Sequence, residues 1–433
     1  MKERKVLING VDSDGKPIAF AVTGDRITEW SGTGDLNRSD SDEIVDLHGK
    51  TVVPSFVDLH THLREPGKED AETVESGSRS AAKGGYGAIS AMPNTNPVAD
   101  TAGVVEQVHS LGLEAGICDV FPIGAVTVGQ KGERLAEILA MAESRAGVRI
   151  FSDDGHCVSD PVLMRRALEY VKIFDGVVAQ HAQDPALTEG AQMNESEVSA
   201  RLGLKGWPAV AEESIIARDV LLADHVGSRL HICHVSTAGS VEIIRWAKAR
   251  GIRVSAEVTP HHLLLTEDLA ESYDPIYKVN PPLRSTSDVE ALRAGLADGT
   301  IDVIATDHAP HPEEAKECEW DAAAFGMIGM ETALAISYKA MVATGLISFS
   351  DLIEKMTLKP AEIGGYRDHQ VPLGLGRIAS FAVIDRERSW DIDRELTVSK
   401  SRNTPFHGFS AQCYVDDVMH RGTWVVRAGT VLA

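Results

Sequence analysis

From residue 52 to about residue 345, short apolar runs alternate with stretches of helical periodicity, and this alternation narrows the fold more than any other feature of the chain. Strands that return through a helix must pair in parallel, because a tight hairpin only joins antiparallel neighbours. The apolar runs fall at 52–59, 87–92, 117–126, 147–152, 176–181, 229–235, 253–259 and 302–306. Helical patterns lie between them, for example at 72–83, 131–145, 160–174, 212–225, 238–250, 286–297 and 331–343. Eight such units are the number that closes a (β/α)8 barrel. A doubly wound open sheet is the competitor, but it usually opens on a glycine-rich first turn, whereas here the first run leads into DLHTHLREPG.

The two ends read differently. Residues 1–50 and 366–433 carry PIAFAVTGDRITEW, RIASFAVID and TWVVRAGTV, short alternating runs rich in β-formers. The expected fold class is therefore α/β: a (β/α)8 barrel over 51–365, with a small β-sandwich domain built jointly by the N- and C-terminal segments.

Charge and cysteine usage remove several functions. Lys plus Arg number 42 against 64 Asp plus Glu, a net charge of −22 that repels phosphate backbones and anionic membranes, so no nucleic acid and no membrane is expected as partner. The cysteines (Cys118, Cys157, Cys233, Cys318 and Cys413) are odd in number and never paired as C-x-x-C, which argues against a disulfide framework and against a thiolate zinc site. The N-terminus turns polar before a signal core can form, and no apolar run reaches the roughly 18 residues of a membrane span. A cytoplasmic protein is expected.

In a barrel, chemistry sits at the C-terminal ends of the strands. Here those ends are crowded with imidazoles and carboxylates: His60 and His62 after the first run, Asp153 and Asp154 after the fourth, His181 after the fifth, His234 after the sixth, and Asp307, His308 and His311 after the eighth. Strand alternation puts His60 and His62 on one face with Cα atoms about 6.6 Å apart, close enough to converge on one ion. A lone histidine is more often a satisfied core or surface residue. Four histidines and two carboxylates, however, exceed the needs of one tetrahedral ion and suit two ions sharing a carboxylate and a hydroxide. Mixed nitrogen and oxygen donors favour zinc over magnesium or calcium, while manganese, cobalt and iron fit the same donors. Arg64 reads either as a bidentate grip on a substrate carboxylate or as a surface salt bridge to Glu65 or Asp70. Asn94 and Asn280 offer donor and acceptor at strand or loop ends, and each alone reads as a turn residue. The run PEEAKECEW after His311 reads as a solvated loop, with a lid as its functional alternative.

Across the barrel the motifs DLHTHLREPG, AMPNTNP, SDDG, QHAQD, HVSTAGS, TPHHL, VNPPLR, TDHAPH and FGMIGMET occur in an order and spacing that resemble the type I dihydroorotases of the cyclic amidohydrolase superfamily. The resemblance implies reversible zinc-dependent hydrolysis of dihydroorotate to carbamoyl aspartate, in pyrimidine biosynthesis, with two zinc ions per subunit. It assigns His60 and His62 to one ion, His181 and His234 to the second, and a bridging role to Asp154 by its spacing from His181, with Asp153 in reserve. Asp307 completes the ligands and would shuttle the proton. His62, Arg64, Asn94, Asn280 and His311, with the backbone at Phe325 and Gly326, would hold the substrate. Hydantoinases, allantoinases and type II dihydroorotases bridge their metals with a carbamylated lysine on strand four, where RIFSDDG has none and Lys172 lies well into the next helix. An allantoinase- or hydantoinase-like enzyme and a catalytically silent partner of aspartate transcarbamoylase are the competing readings. The resemblance also allows a homodimer and an association with that transcarbamoylase.

Overall fold

The computed structural model describes residues 4–33 and 36–432. Beside a short parallel pair of Met193–Asn194 with Gly206–Trp207, the strands that alternate with helices between residues 56 and 304 include two parallel hydrogen-bonded sets. Three of them, Phe56–Thr61, Tyr86–Ala91 and Asp119–Pro122, pair in chain order. Five more, Ile150–Phe151, Val177–Gln180, Arg229–Ile232, Val254–Val258 and Val303–Ile304, do the same. Parallel bridges from Gly124 to Phe151 and from Thr61 to His308 link the two sets at both seams. Helices lie between successive strands and start where the sequence offers acceptors: Thr73 caps Val74–Lys83 in a capping box with Ser76, and Asp160 accepts from the N–H groups of Val162 and Leu163 ahead of Pro161–Lys172.

The stretch 131–145 departs from its expected helix, which shrinks to Ile138–Glu143. Gly129 and Gly132 have left-handed φ of 60° and 67°, and Thr127 bridges Leu135, so the chain closes a loop there instead of winding. The first apolar run is also divided. Thr51–Pro54 leaves the parallel strands and pairs with Phe381–Ile384 and Val11, while Phe56–Thr61 alone joins Tyr86–Ala91.

Thr51–Pro54 thus stitches the chain ends together. Among the described residues the terminal segments make one nine-stranded sheet, because this short strand joins Arg4–Val11 on one side to Phe381–Asp391 on the other. Both faces are buried. Leu7, Phe20, Val52 and Phe381 pack on one, with Phe20 and Phe381 edge to face at 5.2 Å, and Val6, Ile8, Ala19 and Ala21 pack on the other.

One irregularity positions the chemistry. Val57 and Leu59 share a cluster with Ala88, Ala179, Cys233 and Ala305, so plain alternation would turn His60 away from that side. Between Asp58 and Thr61 the first strand advances three residues while its partner advances two, from Ile89 to Ala91. This bulge re-aims His60. Asp58 satisfies the ladder there, accepting from His60 N at 3.1 Å, Thr306 N at 3.1 Å and Thr306 Oγ1 at 2.6 Å.

Candidate active site

Asp154 is the hub of the site. Its carboxylate oxygens lie 3.4 Å from His60 Nε2, 3.3 Å from His62 Nε2, 3.3 Å from His181 Nδ1 and 3.3 Å from His234 Nε2. Asp307 stands across from it, 3.1 Å from His62 Nε2 and 3.4 Å from His60 Nε2. All six side chains are buried. The structure therefore brings together every residue proposed from the sequence as a metal ligand, and three groupings of donor atoms, His60–Asp154–His234, His60–His62–Asp307 and His60–Cys233–Glu257, are close enough to hold an ion.

Asp153 does something else. Its carboxylate accepts from Val126 N at 2.8 Å, from Thr127 N at 3.0 Å and from the Thr127 hydroxyl, so both oxygens are committed to the preceding loop.

The outer nitrogens of the imidazoles are held by acceptors. Glu257 Oε1 sits 2.6 Å from His60 Nδ1, Asn94 Oδ1 2.9 Å from His62 Nδ1, and Gln183 Oε1 2.7 Å from His181 Nε2. Each acceptor places the ring proton on the outer nitrogen and turns a lone pair inward. His60 Nε2 is buried with no hydrogen-bond partner, and His181 Nδ1 faces His234 Nε2 at 2.8 Å. Inward lone pairs around two carboxylates require a cation, so these donors fit divalent metal ions. The electrostatics agree: burial opposes charge on His60, but Asp154, Glu257 and Asp307 raise it well above 6.5. Burial likewise opposes charge on Asp154, yet His60, His181 and His234 hold it well below the usual carboxylate range. Glu257 is drawn down to about 2 against its own burial, chiefly by His60 and His231.

Three residues of the site have left-handed backbone. Arg64, His234 and Asp307 have φ of 64°, 29° and 48°, conformations that cost energy in non-glycine residues and collect at functional sites.

Arg64 is buried, and its Nε donates to Pro310 O at 3.0 Å while Nη2 lies 3.4 Å from His311 Nε2. Glu65 instead accepts from Val74 N, so the surface salt bridge is not the arrangement found. Burial pushes the guanidinium down to about 10, which leaves it charged at neutral pH. His311 Nε2 donates to Phe325 O at 2.8 Å, and burial, aided by Arg64, pushes its ring down to about 3. Asn280 donates to Gln183 at 3.2 Å and keeps a buried Oδ1 without a partner. Gly326, at φ 137°, is packed against Ala309 and His311, where a Cβ would meet His311 Nε2 at 2.8 Å.

Sequence reasoning missed Glu257, Gln183 and Asn403. An acid inside RVSAEVT was a readable signal, because a charge in a buried strand needs partners. Asn403 gave none: it reaches in from the C-terminal segment to donate to Ala309 O at 2.9 Å and Gly326 O at 3.2 Å. The run Pro312–Trp320 is not a solvated loop throughout, since Lys316 and Trp320 are buried in it. Lys172 takes no part; its Nζ donates to Val226 O at 2.6 Å on the outside.

Comparison with known proteins follows the same line. The dihydro-orotase-like family model matches residues 49–240. The chain is 61% identical over 405 residues to a dihydroorotase of Streptomyces coelicolor, covering 93% of this chain and 94% of that one. It is 49% identical over 430 residues to a dihydroorotase of Mycobacterium tuberculosis, covering 99% and 100%. Among solved structures it resembles the L-hydantoinase (dihydropyrimidinase) of Arthrobacter aurescens, with a TM-score of 0.88 at 27% identity over 100% and 98% of the two chains.

Proposed function

The chain belongs to the dihydro-orotase-like family, and from that premise we propose that it catalyses the reversible hydrolysis of (S)-dihydroorotate to N-carbamoyl-L-aspartate in pyrimidine biosynthesis, using two zinc ions. It is a hydrolase of cyclic amides. In this reading the strands close as a (β/α)8 barrel, with the terminal sheet as a second, smaller domain. His60 and His62 would hold one ion and His181 and His234 the other, with Asp154, within 3.4 Å of all four imidazoles, available to both. The five free cysteines suit a reducing cytosol. A homodimer and a transcarbamoylase complex are the assemblies the reading allows.

The observation that carries the substrate assignment is Arg64. Among the described residues no carboxylate lies within salt-bridge distance of its buried guanidinium, which borders His311 beside the six clustered ligands. A buried, unpaired cation at the rim of a small-molecule site calls for an anionic substrate group, and the carboxylate of dihydroorotate matches its planar fork.

When bound, two zinc ions supply a water acidified to near neutral pH and an electrophile for the amide carbonyl. Asp307 takes the proton of the attacking water and delivers it to the departing ring nitrogen, base first and acid second. Its starting charge is secured, since His60 and His62 hold its carboxyl well below the usual range despite burial. Arg64, Asn280 and the Phe325–Gly326 backbone orient the ring. His311, neutral through the physiological range, gives its single N–H to Phe325 O and leaves Nδ1 as an acceptor, so it adds no second cation.

The hydantoinase likeness supports a second reading, an uncharged cyclic ureide as substrate. Arg64→Met separates the two. It is expected to lower kcat/KM for dihydroorotate by about 2–4 kcal/mol while metal stays bound, and to change hydrolysis of uncharged dihydrouracil far less. Equal losses on both rings would overturn the dihydroorotate assignment.

A further inference from the structure

Lys316 is buried, with 6% of its surface exposed, and all three donors of its ammonium point at backbone carbonyls: Lys278 O at 3.0 Å, Ala324 O at 2.9 Å and Gly326 O at 3.1 Å. A second buried lysine lies beside it. Lys278, 1% exposed, donates to Trp320 O at 2.6 Å and Asp321 O at 3.2 Å, and its ammonium stands 4.5 Å from the centre of the Phe325 ring. Between them the two side chains grip the segment 320–326 by its carbonyls and by its aromatic ring.

We propose that Lys316, with Lys278 behind it, is a positioning residue for substrate: it gathers the carbonyls around Gly326 and so fixes the Phe325–Gly326 backbone and His311 in the geometry the substrate meets. The connection is direct. Gly326 O accepts from both Lys316 and Asn403, Phe325 O receives the His311 N–H, and His311 touches Arg64. Gly326 N closes the circuit by donating to Lys278 O at 3.0 Å, the carbonyl Lys316 also holds. Simple packing does not explain the choice, because burying an ammonium is unfavourable wherever an apolar side chain of similar length would fit. Burial, reinforced by Lys278, pushes the Lys316 ammonium down to about 7, which shows how unfavourable the location is for charge. What the charge achieves there is a fixed arrangement of carbonyls, and preorganised backbone lowers the ordering needed when substrate binds.

The inference rests on the dihydroorotate reading for its substrate and on geometry alone for the clamp. Lys316→Met and Lys316→Arg in the metal-loaded protein test it by steady-state kinetics, metal content and hydrogen exchange. Lys316→Met is expected to raise KM for dihydroorotate about tenfold or more with kcat within about threefold, to leave metal content unchanged, and to speed exchange at 312–326 without touching the parallel strands. Lys316→Arg should recover part of the KM. An unchanged KM with unchanged exchange at 312–326, or faster exchange spread over the whole chain with KM unchanged, would overturn the proposal. Should Lys316→Met not fold, the unmodified protein decides: a clamped segment is protected before carbamoyl aspartate is added, and protection gained only on its binding would refute the clamp. A protein that shows the exchange pattern yet leaves dihydroorotate intact supports the clamp and sinks the substrate reading.

Discussion

Glu257 Oε1 lies 2.6 Å from His60 Nδ1, and the same carboxylate reaches His231 Nε2 at 3.0 Å and the backbone N–H of His234 at 3.2 Å. One acid on the seventh parallel strand therefore orients a ligand of each proposed zinc. Glu257→Gln keeps the shape and removes the charge, and is expected to weaken zinc binding by about 10- to 100-fold, the usual effect of losing such an outer partner. Competition against a chromogenic chelator measures it, and an unchanged zinc affinity would show that His60 needs no carboxylate behind it.

The adjacent acids on strand four should separate cleanly. Asp154→Ala removes the carboxylate shared by four imidazoles and is expected to abolish binding of both ions with the fold intact. Asp153→Ala leaves the backbone N–H groups of Val126 and Thr127 without their acceptor, so it should lower stability by about 1–3 kcal/mol and keep the metals. Metal content and thermal unfolding of the two variants check the ranking, and its reversal would move the bridge to Asp153.

That distinction marks the limit of what the sequence disclosed. The ends of the apolar runs carried His60, His62, His181, His234 and Asp307 in plain view, because parallel strands deliver their last residues to one common edge whatever the loops do. The residues alone leave Asp153 and Asp154 equivalent and only the family resemblance favoured Asp154; the physical difference, that the Val126–Thr127 loop passes beside the strand and occupies Asp153, is a contact that local spacing does not encode. The bulge at Asp58–Thr61 was hidden for the same reason: an H-x-H reads identically with or without an extra residue in the ladder. Asn403 lies 94 residues from Ala309, whose carbonyl it holds, and no periodicity spans that separation. The helix expected over 131–145 failed on Gly129 and Gly132, whose left-handed conformations favour a loop over the helix the surrounding residues would accept.

Acid sensitivity away from the site should trace to His420. Its ring packs against Asp119 where the third parallel strand meets the terminal sheet, and burial, with help from Arg421 and His369, pushes it from 6.5 down to about 4. The unfolded chain binds the proton that the folded chain refuses, so this contribution is complete above pH 6.5 and is lost as pH falls toward 4. The loss amounts to at most about 3 kcal/mol. Asp119, held below its ordinary 3.8, titrates below this window. Unfolding of His420→Gln by urea at several pH values should show a flatter decline between pH 6.5 and 4 than the parent, and identical slopes would assign the sensitivity elsewhere.

Orientation of His62 by Asn94 gives a milder expectation. Asn94→Ala removes the acceptor 2.9 Å from His62 Nδ1, so the imidazole loses its fixed tautomer without losing its place on the strand. Activity should fall by about tenfold or more while both ions remain. Loss of one zinc in this variant would instead make Asn94 essential to the metal site.

The central claim is that this site opens a cyclic amide bearing a carboxylate. It is tested most directly by following, with the purified protein and its zinc content measured alongside, the loss of dihydroorotate and of dihydrouracil under the same conditions. With two zinc ions per chain, the expected result is kcat/KM for dihydroorotate about 100-fold or more above that for the uncharged ring, the margin that a buried charge-assisted grip at Arg64 provides. Comparable rates on both rings, or turnover of dihydrouracil alone, would contradict it.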